Sequence, residues 1–179
     1  MTGKTHLVAG IVAGELLTLS THQTDIYSII FSITISALGG LLPDIDHPQA
    51  TVSNSSKVLH KVSETVAAVT QHRGLTHTLA FTLLLTAIMF HFMTGKIASA
   101  AYICCSFEAG LLSHLILDTF NGKGIMWLWP LSKKHFHIAK IHTGAKQESF
   151  FRFCLNLIAT FMLGYILILS IIQFVETHL

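Results

Sequence analysis

The chain has 179 residues, the length of one domain, with 51% hydrophobic and 11% charged residues and a formal net charge of +2. Together with a mean hydropathy of +0.62, this composition excludes an ordinary soluble globule. The small net charge, with no compact basic patch interleaved with aromatics, argues against nucleic acid as a partner.

The first apolar run is His6–Leu19. Glu15 interrupts it, making it the weakest candidate span. Its single Lys4 and the lack of a small-x-small site argue against a cleavable signal peptide. Gly10 and Gly14, with Ala9 and Ala13, offer a small-residue face for close helix approach. Further runs follow at Ile26–Leu42, Leu75–Met93, Ile97–Leu117 and Leu155–Val175. Each meets the roughly 17–25 apolar residues that a bilayer-spanning helix needs.

Between the second and third runs, Leu42–Pro48 carries two prolines that stiffen it and end the preceding helix. Read as an extended strip, it puts Asp44 and Asp46 on the same side. The polar stretch Gln49–Gln71 has a helical middle around Lys57–Val69, with Val58, Val62 and Val66 at four-residue spacing. That pattern fits an amphipathic helix on the membrane surface or a plain loop helix. Gly74 frees the backbone between His72 and His77, and Thr76 is placed to cap the next helix. The loop Thr119–Arg152 mixes Trp127 and Trp129 with lysines, as at the headgroup boundary. Cys104, Cys105 and Cys154 lack ligand spacing and read as buried hydrophobes.

Five helices place ten of the eleven Lys and Arg residues on one side and only Lys96 on the other. By the positive-inside rule, the N-terminus and the loops 43–74 and 118–152 face the cytoplasm. Counted from the outer turns, His6 lies 17 residues before position 23 and Gly40, just ahead of Asp44, lies 17 after it. His77 and His114 lie 18 and 19 residues either side of position 95. At about 1.5 Å rise per residue, two matched hairpins bring these residues to one depth.

His6, Asp44, the His72 and His77 pair, and the His114 and Asp118 pair therefore cluster where apolar runs begin or end. Such side chains cost several kcal/mol near hydrocarbon, which points to a site. His114 and Asp118 share one helix face at i, i+4, a common way to present two ligands. Asp46 is a further ligand, a base, or a partner that orients His77, and Arg73 stands ready to hold a phosphate bidentately. His22, His60, His91 and His178 read as interfacial, and His135 as part of a basic loop that is solvated or shields a headgroup. Whether His47, His137 or His142 joins the cluster stays open. Glu15 and Glu108 read as structural hydrogen-bonding acids within the bundle.

The motifs Thr-His6-x-x-x-Gly10, Leu-Pro-Asp44-Ile-Asp46-His47-Pro48, His72-Arg-Gly-Leu-Thr-His77-Thr and Ser113-His114-x-x-x-Asp118 occur in this order, followed by Gly122-x-Gly124-x-x-x-Leu128-Trp129-Pro130. As an ensemble they resemble the YdjM-like group of bacterial inner-membrane metal-dependent hydrolases, from about residue 3 to residue 131. That group is itself similar to zinc-dependent phospholipase C and the S1/P1 nucleases. The resemblance implies metal ligation by His6, Asp44, His72, His114 and Asp118, and phosphoester hydrolysis. The second His-x-x-x-Asp/Glu pair of those soluble enzymes is missing, since His142 is followed only six residues later by Glu148.

The expectation is thus one all-α domain over residues 1–179, a polytopic membrane bundle of about five helices with a metal site at the cytoplasmic boundary. The metal set is His6, Asp44, Asp46, His72, His77, His114 and Asp118, with Asp46 and Arg73 in catalytic roles. One or two divalent ions are expected, zinc first, with manganese, iron or nickel also suited to imidazole and carboxylate. The expected substrate is a membrane lipid or lipid-linked phosphate. Oligomeric state is not legible. A divalent-metal transporter or sensor, and a scaffold with a structural metal, are the alternative classes.

Overall fold

The computed structural model describes residues 1–70 and 74–178. Six α-helices follow in order: α1 (Gly3–Thr21), α2 (Ile26–Leu41), α3 (Lys57–Val69), α4 (Leu79–Met93), α5 (Ala100–Thr119) and α6 (Lys146–His178). Two 3-10 turns, Leu42–Asp46 and Leu75–His77, precede α3 and α4. No strand forms among the described residues; the loop after α5 carries only the isolated bridges Asn121–Ile141 and Ile125–Phe136.

Short polar side chains start α2, α3 and α4. The Asp25 carboxylate accepts from the Ser28 N–H at 3.0 Å and opens α2. Ser56 does the same for α3 through the Leu59 N–H, and Thr78 for α4 through the Phe81 N–H. Thr78, not Thr76, is therefore the cap of α4. The apolar run from Leu75 becomes helical four residues late because its first three residues close a 3-10 turn.

Helices α1, α2 and α5 form the centre, with α4 against α5 and α6 against α1. Their contact faces are small and polar. Ser32, Ser36, Gly39 and Gly40 of α2 are buried, whereas Tyr27, Ile30, Phe31 and Leu38 are more than half exposed. A Cβ on Gly10 or Gly14 would lie 2.7 Å from the backbone oxygen of Ser36 or Ser32, so only glycine permits this approach. Small residues inside and large apolar ones outside is the packing of helices in lipid, where burial of apolar surface gives no net gain. Thr82 and Thr86 of α4 donate to the Glu108 carboxylate of α5 at 2.9 and 2.6 Å, which confirms Glu108 as a structural acid. Glu15 is buried, but its Oε2 has no hydrogen-bond partner, contrary to the expected pairing.

Among the described residues, three segments are long and apolar enough to cross a bilayer: Ile26–Asp46, Ala100–Thr119 and Lys146–His178. The 15-residue α4 reaches about 22 Å at 1.5 Å per residue, short of a roughly 30 Å hydrocarbon core. The 33-residue α6 extends beyond the run Leu155–Val175 at both ends, because polar residues such as Lys146 and Glu148 continue its first turns. The protein is an all-helical membrane bundle.

Candidate metal centre

The start of α1, the turn after α2, the turn before α4 and the end of α5 meet at one end of the bundle. They bring His6, Asp44, His77, His114 and Asp118 together. His6, His114 and Asp118 form one group, and Asp44, His77 and His114 a second, each with ligand-type atoms within 4.8 Å of one another. His114 belongs to both. The side chains of His6, His77, His114 and Asp118 are at most 1% exposed, while that of Asp44 is 14% exposed and forms the open side.

Distances fix the arrangement. His77 Nε2 lies 3.2 Å from His114 Nε2, 3.6 Å from Asp44 Oδ1 and 3.8 Å from Asp118 Oδ2. His114 Nε2 lies 3.7 Å from Asp44 Oδ1. The His6 ring stacks on the His114 ring with centroids 3.7 Å apart and planes 12° from parallel. Asp118 Oδ1 is 3.4 Å from His6 Nε2 and accepts from the Met1 amine at 2.7 Å.

Outer contacts set which nitrogens point inward. His114 Nδ1 sits 2.7 Å from the Gly40 carbonyl, which can only accept. Nδ1 therefore carries the hydrogen, and Nε2 presents its lone pair to the cluster. His77 Nδ1 lies 3.0 Å from Thr76 Oγ1, whose hydroxyl donates to Asp46 Oδ2 at 2.8 Å. This relay turns His77 Nε2 inward. A carbonyl or a carboxylate-backed hydroxyl behind an imidazole is the usual way a metal-binding ring is oriented.

Burial alone would lower the pKa of His77. The hydrogen bonds to Asp44 and Asp46, and the charges of Asp46 and Asp118, override it and lift the group from 6.5 to about 9. In the metal-free protein a proton thus stands at the focus of the cluster. His6 is fully buried, its Nδ1 makes no hydrogen bond, and its Nε2 has only the 3.4 Å contact with Asp118 Oδ1. A buried imidazole so weakly satisfied is costly, and a cation at this point would relieve it. Three imidazoles and two carboxylates are a donor set suited to zinc and its neighbours.

The reading of Leu42–Pro48 as an extended strip is corrected. Pro43 stands in the first turn of a 3-10 helix, where its fixed φ fits. At three residues per turn, residues two apart point about 120° apart. Asp44 and Asp46 consequently approach opposite sides of His77, Asp44 at Nε2 and Asp46 at Nδ1, 3.4 Å away. Asp46 stands behind the His77 ring rather than beside Asp44.

His72 and Arg73 lie outside the described residues. His47 lines a cavity of about 350 Å³ together with Asp44, Thr2, Gly3, Thr51 and Thr143, and its Nδ1 accepts from the Gln49 N–H. His142 and His137 are exposed and stand outside both ligand groups. Cys104 is buried as expected, whereas Cys105 is exposed and Cys154 half-buried; all three are free thiols.

Sequence reasoning missed three participants: Thr76 as relay, the Gly40 carbonyl, and Glu148. Glu148 Oε1 accepts from the Thr2 N–H, Thr2 Oγ1 and Thr5 Oγ1 at 2.6–2.7 Å, and Oε2 from the Gly144 N–H at 2.6 Å. It thereby fixes the start of α1, one turn from His6, to the start of α6. The available signal was a glutamate in the first turn of α6, placed to satisfy backbone N–H groups.

Comparison with known proteins gives the family. The uncharacterized protein YvsG of Bacillus subtilis (strain 168) is 34% identical over 130 residues, 73% of this chain and 74% of that protein. Inner membrane protein YdjM of Escherichia coli (strain K12) is 30% identical over 135 residues, 73% of this chain and 66% of its own length. Inner membrane protein YbcI of the same organism is 39% identical over 69 residues, 36% of this chain and 39% of that protein. No solved structure matches the chain. The YdjM inner membrane protein family matches residues 1–176, and the chain belongs to that family.

Proposed function

We propose that this membrane protein is a metal-dependent hydrolase that cleaves phosphoester bonds of a lipid or lipid-linked phosphate, with its site at the cytoplasmic boundary. One observation carries the reading: three imidazoles and two carboxylates, oriented from outside by Gly40 and by Thr76 with Asp46, form two buried groups joined at His114, with Asp44 the most exposed of the five. His6, Asp44, His77, His114 and Asp118 would hold the ion. His114 has a single inward lone pair, because its other nitrogen serves Gly40, so one ion binding to it is favoured over two. A bound zinc or similar ion lowers the pKa of a coordinated water from 15.7 to about 7 and polarises a phosphoryl oxygen.

The chain's own residues supply the rest. Asp44, the exposed member, faces the cavity and is the group placed to accept the proton of an attacking water. Asp46, shielded behind His77, orients that ring instead of acting as the base. The cavity beside Asp44 is lined by backbone and hydroxyl groups of Thr2, Gly3, Thr51 and Thr143, which suits a phosphorylated headgroup. Arg73, four residues before His77, is assigned to the phosphate by its charge and planar fork.

The test is the full-length chain in lipid nanodiscs, loaded with zinc or manganese and offered phospholipids and lipid-linked phosphates. Release of phosphate or a phosphorylated headgroup, lost on chelation, is expected. Tight metal binding with no release from any of these lipids would leave a structural metal and overturn the hydrolase reading.

A further inference from the structure

A second cavity lies on the opposite side of α5 from the metal cluster. It is an open groove of about 700 Å³ whose apolar walls include Ile116, Trp127, Phe136 and Ile138. Ile116 is two residues from both His114 and Asp118, about 200° around the helix, so it faces away from the cluster. It is 50% exposed within a bilayer-crossing segment, so lipid is its natural neighbour.

The walls are built before any ligand arrives. The Trp127 indole N–H donates to Thr119 Oγ1 at 2.9 Å, and the Trp127 carbonyl accepts from the Leu79 N–H at 3.1 Å. Phe136 is held by a reciprocal backbone pair with Ile125, at 2.9 and 3.2 Å. The Ile138 N–H donates to the Thr119 carbonyl at 2.8 Å. Lys134 Nζ stands 5.6 Å from the Phe136 ring centre, which keeps its charge over the apolar wall. His135 and His137 also line the groove, and no carboxylate does.

An apolar floor continuous with the lipid-facing side of α5, and a cationic rim at the polar end of the same helix, fit one kind of occupant. We infer that this groove binds an anionic phospholipid, its phosphate against Lys134 and one acyl chain along Ile116. Leu128 and Leu131 on the same loop, 47% and 93% exposed, add apolar surface beside it. The inference does not depend on the hydrolase reading, because the groove and the cluster use different faces of α5.

The test uses the full chain in phosphatidylcholine vesicles with Trp129→Phe, which leaves Trp127 as the sole tryptophan. Brominated phosphatidylglycerol, added as a minor component, is expected to quench Trp127 with about fivefold preference over brominated phosphatidylcholine, one lysine's attraction to an anionic lipid. Lys134→Glu should abolish the preference and Lys134→Arg should keep it. Lys133→Glu, an exposed neighbour that does not line the groove, should change it little. Equal quenching by the two lipids, or a Lys133→Glu effect as large as that of Lys134→Glu, would overturn the assignment. Displacement by water-soluble glycerol phosphate would show a headgroup site without an acyl chain and also overturn it. Quenching that falls as protein density rises would place a second copy of the chain in the groove instead.

Discussion

His77 and His114 face each other Nε2 to Nε2 at 3.2 Å, with Asp44 within 3.7 Å of both nitrogens. His114 has its hydrogen on the far side, bound to the Gly40 carbonyl, so a single proton fills the gap between the rings. That proton stands where a cation would bind.

Metal affinity should rise with pH. The folded-state pKa of His77 is raised from 6.5 to about 9, so the stability it gives the metal-free protein is complete below 6.5 and lost as pH climbs through 9. A cation must expel this proton. Its apparent affinity should therefore gain about tenfold per pH unit up to pH 9 and then level off. Titration calorimetry in buffers of differing ionisation enthalpy should show about one proton released per ion near pH 7. No proton release would mean that His77 is not a ligand.

His114→Ala removes the residue common to both ligand groups. Metal content, measured by elemental analysis of purified protein, should drop to background. Full retention would refute the assignment of the cluster.

Asp46→Asn and Thr76→Val each break the relay behind His77 without removing a ligand. Each should weaken metal binding by about 10–100-fold, and the double variant should lose little more than either one. Additive losses would show that Asp46 and Thr76 act separately.

Gly10→Ala puts a methyl group 2.7 Å from the Ser36 backbone oxygen, with no flexible side chain to give way. Helices α1 and α2 must separate, at a cost of about 1–3 kcal/mol. The melting temperature in detergent should fall by several degrees. Gly164→Ala on α6, where a Cβ meets nothing within 4 Å, should leave it level or raise it.

Glu148→Ala leaves the Thr2 and Gly144 N–H groups and two hydroxyls without their acceptor, at about 1–3 kcal/mol for each donor that stays buried. Because α1 starts there, one turn before His6, metal affinity should fall along with the melting temperature, although every ligand remains. An unchanged affinity would separate the anchor from the site.

Much of the molecule is legible in the chain. Apolar runs of bilayer length locate helices α2, α5 and α6, and the four-residue step from His114 to Asp118 puts both on one face before any packing is known. Matched hairpin lengths set the common depth of His6, Asp44, His77 and His114, because rise per residue is a property of the helix itself. Gly10 and Gly14 announce a close approach, though not the helix that makes it. Tertiary structure alone decided that α2 and α5 both press on α1, that His6 stacks on His114, and that Glu148 ties the two ends of the sequence together. It also overruled the local reading of Asp44 and Asp46: a 3-10 turn, closed against α3 and His77, sends the two carboxylates to opposite nitrogens of one ring. Periodicity and charge are local and survive in a linear string, whereas the pairing of hydrogen bonds across helices depends on lateral positions that no spacing encodes.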